Sequence, residues 1–223
     1  MADILENGGR ITAKLQPGHA LFVRRDMSVQ STTRVKQSVT APVPLQATLP
    51  RFIHNSLFLL RVTTEYSHSR VVITCPGGRQ LISIRLAKNE CMAVSLPHLV
   101  AFTKTRFTGC ANFSLAAFAC DRNFSTIVHG PGLVILETNG NHIMHKSGTV
   151  TTSPDQLVVW DPCLRFRLDR VHDLTDLYFN RMRISCEVNS KLPLIVDSVA
   201  KKGRPNSNPL FEFLKSVYLP RFH

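Results

Sequence analysis

The sequence predicts an all-β protein, and three observations carry the prediction. Nearly every apolar run is short, rich in β-branched residues and bounded by Gly, Pro, Asn or Asp. Turn residues recur about every 8–12 positions, a spacing typical of β-sandwiches and barrels. A strand–turn–strand–strand pattern occurs three times, at about residues 9–36, 78–108 and 130–171. We therefore expect a sheet that folds on itself with pseudo-symmetry.

Strands are predicted where apolar and polar residues alternate, as they do along QLISIRL. Further strands are predicted at ITAKL, FLLRVTTEY, RVVITC, LVILET, QLVVW, LRFRL and MRISCEV. One helix is predicted over residues 208–219, where Asn208 is a suitable N-cap and Pro209 occupies the first helical position. We expect residues 1–199 to form the β-domain and residues 200–223 to form a basic linker with a short C-terminal helix.

The bulk composition predicts a folded protein with an acidic partner. The chain has 223 residues, enough for a sizeable core, and its formal net charge is +12. A balance this basic favours nucleic acid, an anionic membrane surface or an acidic protein as the partner. No apolar stretch approaches the length of a membrane span, and no secretory signal is apparent, so we expect the six cysteines to be reduced.

The glycine-rich segment 129–140 is the most suggestive motif in the sequence. It lacks the Gly-Lys-Ser/Thr of a phosphate loop, the helix-opening pattern of a dinucleotide site and the G-x-S-x-G of a nucleophile elbow. We interpret it as one strand between two turns. Gly130 is expected to supply a positive φ, and Asn139-Gly140 is a strong hairpin signal.

No catalytic or metal-binding residue is predicted. His142 and His145 are three positions apart, so on a strand they would point to opposite faces. Cys75 has no His or Asn context suited to a nucleophile, and His98 is expected at the surface or in a capping position. Trp160 is expected to seal one end of a barrel. We therefore expect a protein that is not an enzyme, with no metal, no cofactor and no small-molecule substrate.

Basic residues, in contrast, are organised along the predicted strands. Arginines alternate with apolar residues, as Arg165 and Arg167 do around Phe166, and this pattern places a cationic stripe on an exposed face. Such a stripe suits contact with a phosphate backbone rather than with bases. The residues predicted to contact RNA or another anionic partner are Arg24, Arg25, Arg34, Lys36, Arg165, Arg167, Arg181, Arg183, Lys201, Lys202 and Arg204.

The third repeat resembles a known family. It has a Gly-x-Gly turn, a strand, a glycine, and a hydrophobic strand that ends in Trp-Asp. The matching residues are Gly130, Gly132, Gly140, Val158, Val159, Trp160 and Asp161, with Pro17, Gly18 and Met27 matching the first repeat. This order resembles the altered inheritance of mitochondria (member twenty-four) family, which is similar in fold to the tryptophan RNA-binding attenuation protein. The resemblance implies a double-stranded β-helix-like, distorted β-barrel and, for eukaryotic members, a mitochondrial location.

Three classes of function remain open on the sequence. The leading hypothesis is a structural subunit of a mitochondrial assembly, with the mitochondrial ribosome as host and with rRNA and ribosomal proteins as partners. The second is an inner-membrane organising scaffold that meets anionic lipid, as the family resemblance allows. Both place the protein in the matrix or on the matrix face of the inner membrane. The third, an enzyme in a metal-binding barrel, requires a bound metal.

Overall fold

Strands account for almost all of the regular structure in the computed structural model. It describes residues 4–40, 59–65, 69–103, 105–111, 124–169, 183–189 and 192–199. After an initial strand, β1 (Ile4–Asn7), the strands form three successive sets of six. The first set is β2 (Arg10–Leu15), β3 (Ala20–Arg24), β4 (Ser28–Ser31), β5 (Lys36–Thr40), β6 (Leu59–Thr63) and β7 (Ser69–Thr74).

The second and third sets follow the same order. The second set is β8 (Gln80–Leu86), β9 (Cys91–Val94), β10 (Leu99–Phe102), β11 (Arg106–Ala111), β12 (Phe124–His129) and β13 (Gly132–Thr138). The third set is β14 (His142–His145), β15 (Gly148–Thr152), β16 (Leu157–Trp160), β17 (Phe166–Leu168), β18 (Ile184–Val188) and β19 (Leu194–Asp197). Within the described ranges, three short 3₁₀ turns lie between strands, at Pro76–Gly78, Leu96–His98 and Pro154–Gln156.

Each set of six strands is divided between two sheets in the same way. The third, sixth and first strands pair as β4-β7-β2, β10-β13-β8 and β16-β19-β14. The fourth, fifth and second strands pair as β5-β6-β3, β11-β12-β9 and β17-β18-β15. The second strand of one set also pairs with the third strand of the next set, as β3 does with β10 and β9 with β16. Consecutive repeats therefore share a sheet.

This pairing produces four antiparallel sheets. The first sheet has the order β1-β2-β7-β4, and the second has the order β5-β6-β3-β10-β13-β8. The third sheet has the order β11-β12-β9-β16-β19-β14, and the fourth contains β15-β18-β17. The sheets are not closed into a barrel. The all-β prediction is confirmed, but the barrel that the resemblance implies is replaced by shared sheets, because pairing continues from each repeat into the next.

Three apolar cores lie between consecutive sheets. The first core includes Ile11 and Ile73 from the first sheet and Ile135 from the second. The second core joins the second and third sheets, and the third core joins the third and fourth sheets. The inner sheets therefore have apolar side chains on both faces, which explains why β10, β13, β16 and β19 are apolar without alternation.

Trp160 belongs to the third core rather than to a barrel end. Its exposed fraction is 6%, and its ring meets Phe166 edge-on at a centroid distance of 6.3 Å. The predicted basic linker and C-terminal helix, residues 200–223, lie outside the described residues. Within the residues that the structure describes, no helix is long and apolar enough to cross a membrane.

The glycine-rich segment 129–140 forms the predicted strand, β13, but its turns differ from the prediction. Asn139-Gly140 does not close a hairpin, because β13 belongs to the second sheet and β14 to the third. The chain passes here from the second sheet to the third. The Asp197 carboxylate stabilises this connection by accepting hydrogen bonds from the backbone N–H groups of Asn139 (2.6 Å) and Gly140 (3.0 Å). Gly130 has no positive φ. A Cβ at Gly130 would lie 1.9 Å from the Ala87 carbonyl oxygen, so close packing requires this glycine.

Candidate anionic-partner interface

Arg24 does not lie on an open cationic stripe, although the sequence predicted a contact with an anionic partner there. It ends β3 with a side chain that is only 14% exposed. Its Nη2 donates to Glu137 Oε2 at 2.7 Å, its Nε donates to Asp26 Oδ1 at 2.6 Å, and its Nη1 donates to the Pro97 carbonyl oxygen at 2.9 Å. Burial opposes the charge of Arg24, but the hydrogen bonds to Asp26 and Glu137 outweigh it and raise its pKa. Arg24 therefore stabilises the fold.

Glu137 is the centre of this buried cluster. Its side chain is 1% exposed, and Arg79 also donates to its Oε2, at 2.8 Å. The Cys75 thiol donates to the same oxygen at 3.3 Å. Burial first, and then the Glu137 charge and hydrogen bond, raise the pKa of Cys75 to about 12. A thiol held neutral in this way is a poor nucleophile, so this cluster does not have the chemistry of a cysteine catalytic site.

Arg25, Arg34 and Lys36 are all exposed, as the prediction requires. Arg25 lies in the turn after β3, Arg34 lies just before β5, and Lys36 begins β5. Lys36 forms an ion pair with Glu65, and both side chains are exposed to solvent. Among the residues described, Arg34 has no ion-pair partner, so its guanidinium is available to an anion.

The fourth sheet presents a mixed surface rather than a purely cationic one. Arg165 and Arg167 are exposed, and Phe166 between them packs on the third core, as the alternation predicts. The two arginines line a groove of about 490 Å³. Asp161 and Glu187 line the same groove, and acids among basic residues are typical of a solvated face. Arg183 is exposed beside β18.

A second group of basic residues, which the sequence prediction missed, lies on the outer face of the first sheet. Arg10 and Arg70 are exposed and Lys14 is half-buried, while the residues that alternate with them face the first core. Lys14 lies directly opposite Arg70 on the neighbouring strand. Strands β2, β4 and β7 contain no Asp or Glu. We call Arg10, Lys14 and Arg70 the first-sheet cationic face.

The first-sheet cationic face was detectable in the sequence. Arg10 and Lys14 keep the period of two along RITAKL, and Arg70 begins an apolar strand. The pairing of β2 with β7, which brings two separate segments together, is not encoded in either strand alone. The predicted contact residues Arg181, Lys201, Lys202 and Arg204 lie outside the described residues.

The histidines provide no metal site within the described part of the chain. No group of three or more His, Cys, Asp or Glu residues there could hold a metal ion. His142 and His145 are the two ends of β14, an edge strand, and both are half-buried. His98 is not at the surface: it is 2% exposed, and its Nδ1 lies 2.8 Å from the Glu137 carbonyl oxygen.

The fold and this site define a class of protein: an all-β repeat protein whose repeats share sheets and whose first sheet carries a cationic outer face. The family model for Mitochondrial biogenesis AIM24 matches residues 7–190. The chain belongs to this family. This match confirms the family resemblance. The protein is therefore a mitochondrial protein with a role in mitochondrial biogenesis.

The fold also has a solved counterpart. The crystal structure of protein SPYM3_0169 from Streptococcus pyogenes is similar, with 12% identity and a TM-score of 0.62. The similarity covers 98% of this chain and 99% of that chain. At this identity the likeness shows the fold alone. A search of curated proteins finds no match.

Proposed function

We propose that this AIM24-family protein is a non-catalytic structural subunit of a mitochondrial assembly, and that it contacts RNA phosphates. The mitochondrial ribosome is the proposed host, with rRNA and neighbouring ribosomal proteins as partners. The proposed location is the matrix or the matrix face of the inner membrane, where such an assembly lies. The family assignment supports the mitochondrial role, and the ribosomal host rests on the chemistry of the surface.

The first-sheet cationic face is the observation that carries this function. Three basic residues stand on two paired strands, with no acid on β2, β4 or β7. Lys14 and Arg70 lie directly opposite each other on paired strands, so one phosphate group is within reach of both side chains. Exposed basic side chains on strands can contact the phosphate backbone of an RNA without recognising its bases.

Charge-matched variants test the face. The double variant Arg10→Gln/Arg70→Gln removes two charges from the first-sheet cationic face, and Arg165→Gln/Arg167→Gln removes two from the mixed fourth sheet. We expect the first variant to weaken binding to a mixed-sequence single-stranded RNA, measured by fluorescence anisotropy from about 50 to about 200 mM salt. Its log–log salt slope should fall by about 1.4, for two lost phosphate contacts. Equal losses of RNA affinity in the two variants would mean that binding depends on the net charge of the protein and not on the first-sheet cationic face.

A second pair of measurements tests the host. In a sucrose gradient of mitochondrial lysate, the protein should sediment with ribosomal particles and move to lighter fractions after RNase treatment. The inner-membrane scaffold makes the opposite prediction, because the same cations would then meet anionic lipid. Flotation with vesicles that contain anionic lipid, together with no RNA binding, would replace the ribosomal proposal by the scaffold.

A further inference from the structure

A cleft opens at one end of the first core, at the opposite end of β2 from Arg10. It lies where β2 and β8 end and β13 begins, and its volume is about 590 Å³. That volume is in the range of small-molecule binding sites, roughly 300–1,000 Å³. The turn after β2 and the turn after β8 form its rim.

The floor of the cleft is apolar. Leu15, Leu21 and Leu133 line it, and all three are buried members of the first core. Ala13 and Leu86, near the ends of strands β2 and β8, also line the cleft. An acyl chain placed here would therefore extend an existing apolar core, which is the favourable environment for hydrocarbon.

The charge at the rim is positive. Arg85 lies opposite Leu133 in the β8–β13 pair, and paired residues share a face, so Arg85 stands on the cleft side of the second sheet. Lys14 also lines the cleft. Glu90 is the acid among the lining residues, and its Oε2 accepts a hydrogen bond from the Ala87 N–H at 2.7 Å. An apolar floor below a cationic rim is complementary to a molecule with a hydrocarbon chain and an anionic end.

We propose that this cleft binds a single-chain anionic amphiphile of the fatty-acid class. The acyl chain lies against Leu15, Leu21 and Leu133, and the carboxylate is held at Arg85, whose planar guanidinium matches a carboxylate. The amphiphile is a bound ligand, and no reaction on it is part of the proposal. Lys14 belongs to both surfaces, so the inference is separated from the RNA-binding function at Arg85, which is on the second sheet and outside the first-sheet cationic face.

Two soluble probes of equal chain length and opposite charge test the ligand class. Laurate and dodecyltrimethylammonium are titrated into the full-length protein below their micelle concentrations, with binding measured by calorimetry. We expect laurate to bind with a stoichiometry of one and dodecyltrimethylammonium to bind at least about tenfold more weakly. Equal affinity for the two probes, or laurate binding that does not saturate at one site, would overturn the proposal.

Two rim variants and a matched control locate the site. Arg85→Gln should weaken laurate binding about tenfold, because the carboxylate loses a charged hydrogen-bond donor. Ala87→Trp places a bulky side chain at an exposed position on the rim and should abolish binding of laurate without altering the core. Lys88→Gln is the matched control, since Lys88 is exposed in the same turn but is not a lining residue, and it should bind as the unmodified protein does.

The outcomes separate this site from the other proposals. A thermal melt of each variant checks that the fold is retained, and the RNA affinity of Arg85→Gln should equal that of Lys88→Gln. If all three variants bind laurate equally, the cleft is not the site. Recovery of the protein on vesicles with anionic lipid, with no binding of monomeric laurate, would also overturn the cleft proposal and would favour the membrane scaffold.

Discussion

Neighbouring residues of one chemical type have different roles in this protein. Arg24 and Arg25 are adjacent in sequence, yet Arg24 is tied to Glu137 whereas Arg25 is exposed. Glu137 is 113 residues away from Arg24, and its carboxylate serves both Arg24 and Arg79. Removing this buried carboxylate would leave Arg79 without its counter-charge and Arg24 with Asp26 as its remaining acidic partner.

Replacing the buried Glu137 tests this interpretation. Glu137→Gln keeps the size of the side chain and removes its charge. We expect the free energy of unfolding to fall by about 3 kcal/mol, measured by urea denaturation, because Arg24 and Arg79 lose their shared partner. The control is Glu65→Gln, the same chemical change in the exposed pair with Lys36, which should lower the free energy of unfolding much less because solvent screens that pair. Similar losses in the two variants would show that the Glu137 cluster is not important for stability.

At the scale of single elements, the turns around β13 differ from the sequence prediction, whereas the strand itself does not. The strand β13 forms as its composition predicts. The identity of the turn residues beside it depends instead on how closely other elements pack against them. Gly130 lies against the Ala87 carbonyl of the turn after β8, while Gly18 in the turn after β2 has a φ of 76° and open space around its Cα. The two glycines therefore suit their turns for different physical reasons, a left-handed backbone at Gly18 and close packing at Gly130.

A pair of asparagine substitutions separates those reasons. Asparagine tolerates left-handed backbone better than other non-glycine residues, so Gly18→Asn should change stability only slightly. Gly130→Asn places a Cβ against backbone and should lower the free energy of unfolding by about 1–3 kcal/mol. Thermal or urea denaturation of both variants measures the difference. The packing explanation is incorrect if Gly130→Asn is tolerated as well as Gly18→Asn.

At the scale of the whole molecule, the shared sheets join the three repeats into one unit. The second sheet contains strands of the first two repeats, and the third sheet contains strands of the last two. Removing one repeat would therefore expose an apolar sheet face of its neighbour. The described chain should unfold as a cooperative unit, unlike a row of independent domains.

Hydrogen exchange tests this organisation directly. The amides of β10 and β13 lie in a sheet with apolar cores on both faces and should exchange slowest. Those of β5, an exposed strand at the edge of the same sheet, should exchange fastest. Mass spectrometry of peptides that cover both strands measures the rates. Slow exchange confined to one repeat would show instead that the repeats open independently.

Several features were accessible from the sequence because they depend on local patterning. Short β-branched runs predict strands, and the alternation around Phe166 predicts which side faces the third core. The family was accessible through the Gly-x-Gly motif at the start of β13 and the Trp-Asp motif at the end of β16.

By itself, the amino-acid sequence determined the strand content, the excess of positive charge and the family. Tertiary structure alone decided that Arg24 serves Glu137, that Asn139-Gly140 crosses between sheets, and that Arg10, Lys14 and Arg70 form one face. The physical reason is that periodicity reports whether a side chain is buried, whereas it carries no information about which distant residue buries it. Those partners are set by strand pairing across the whole chain.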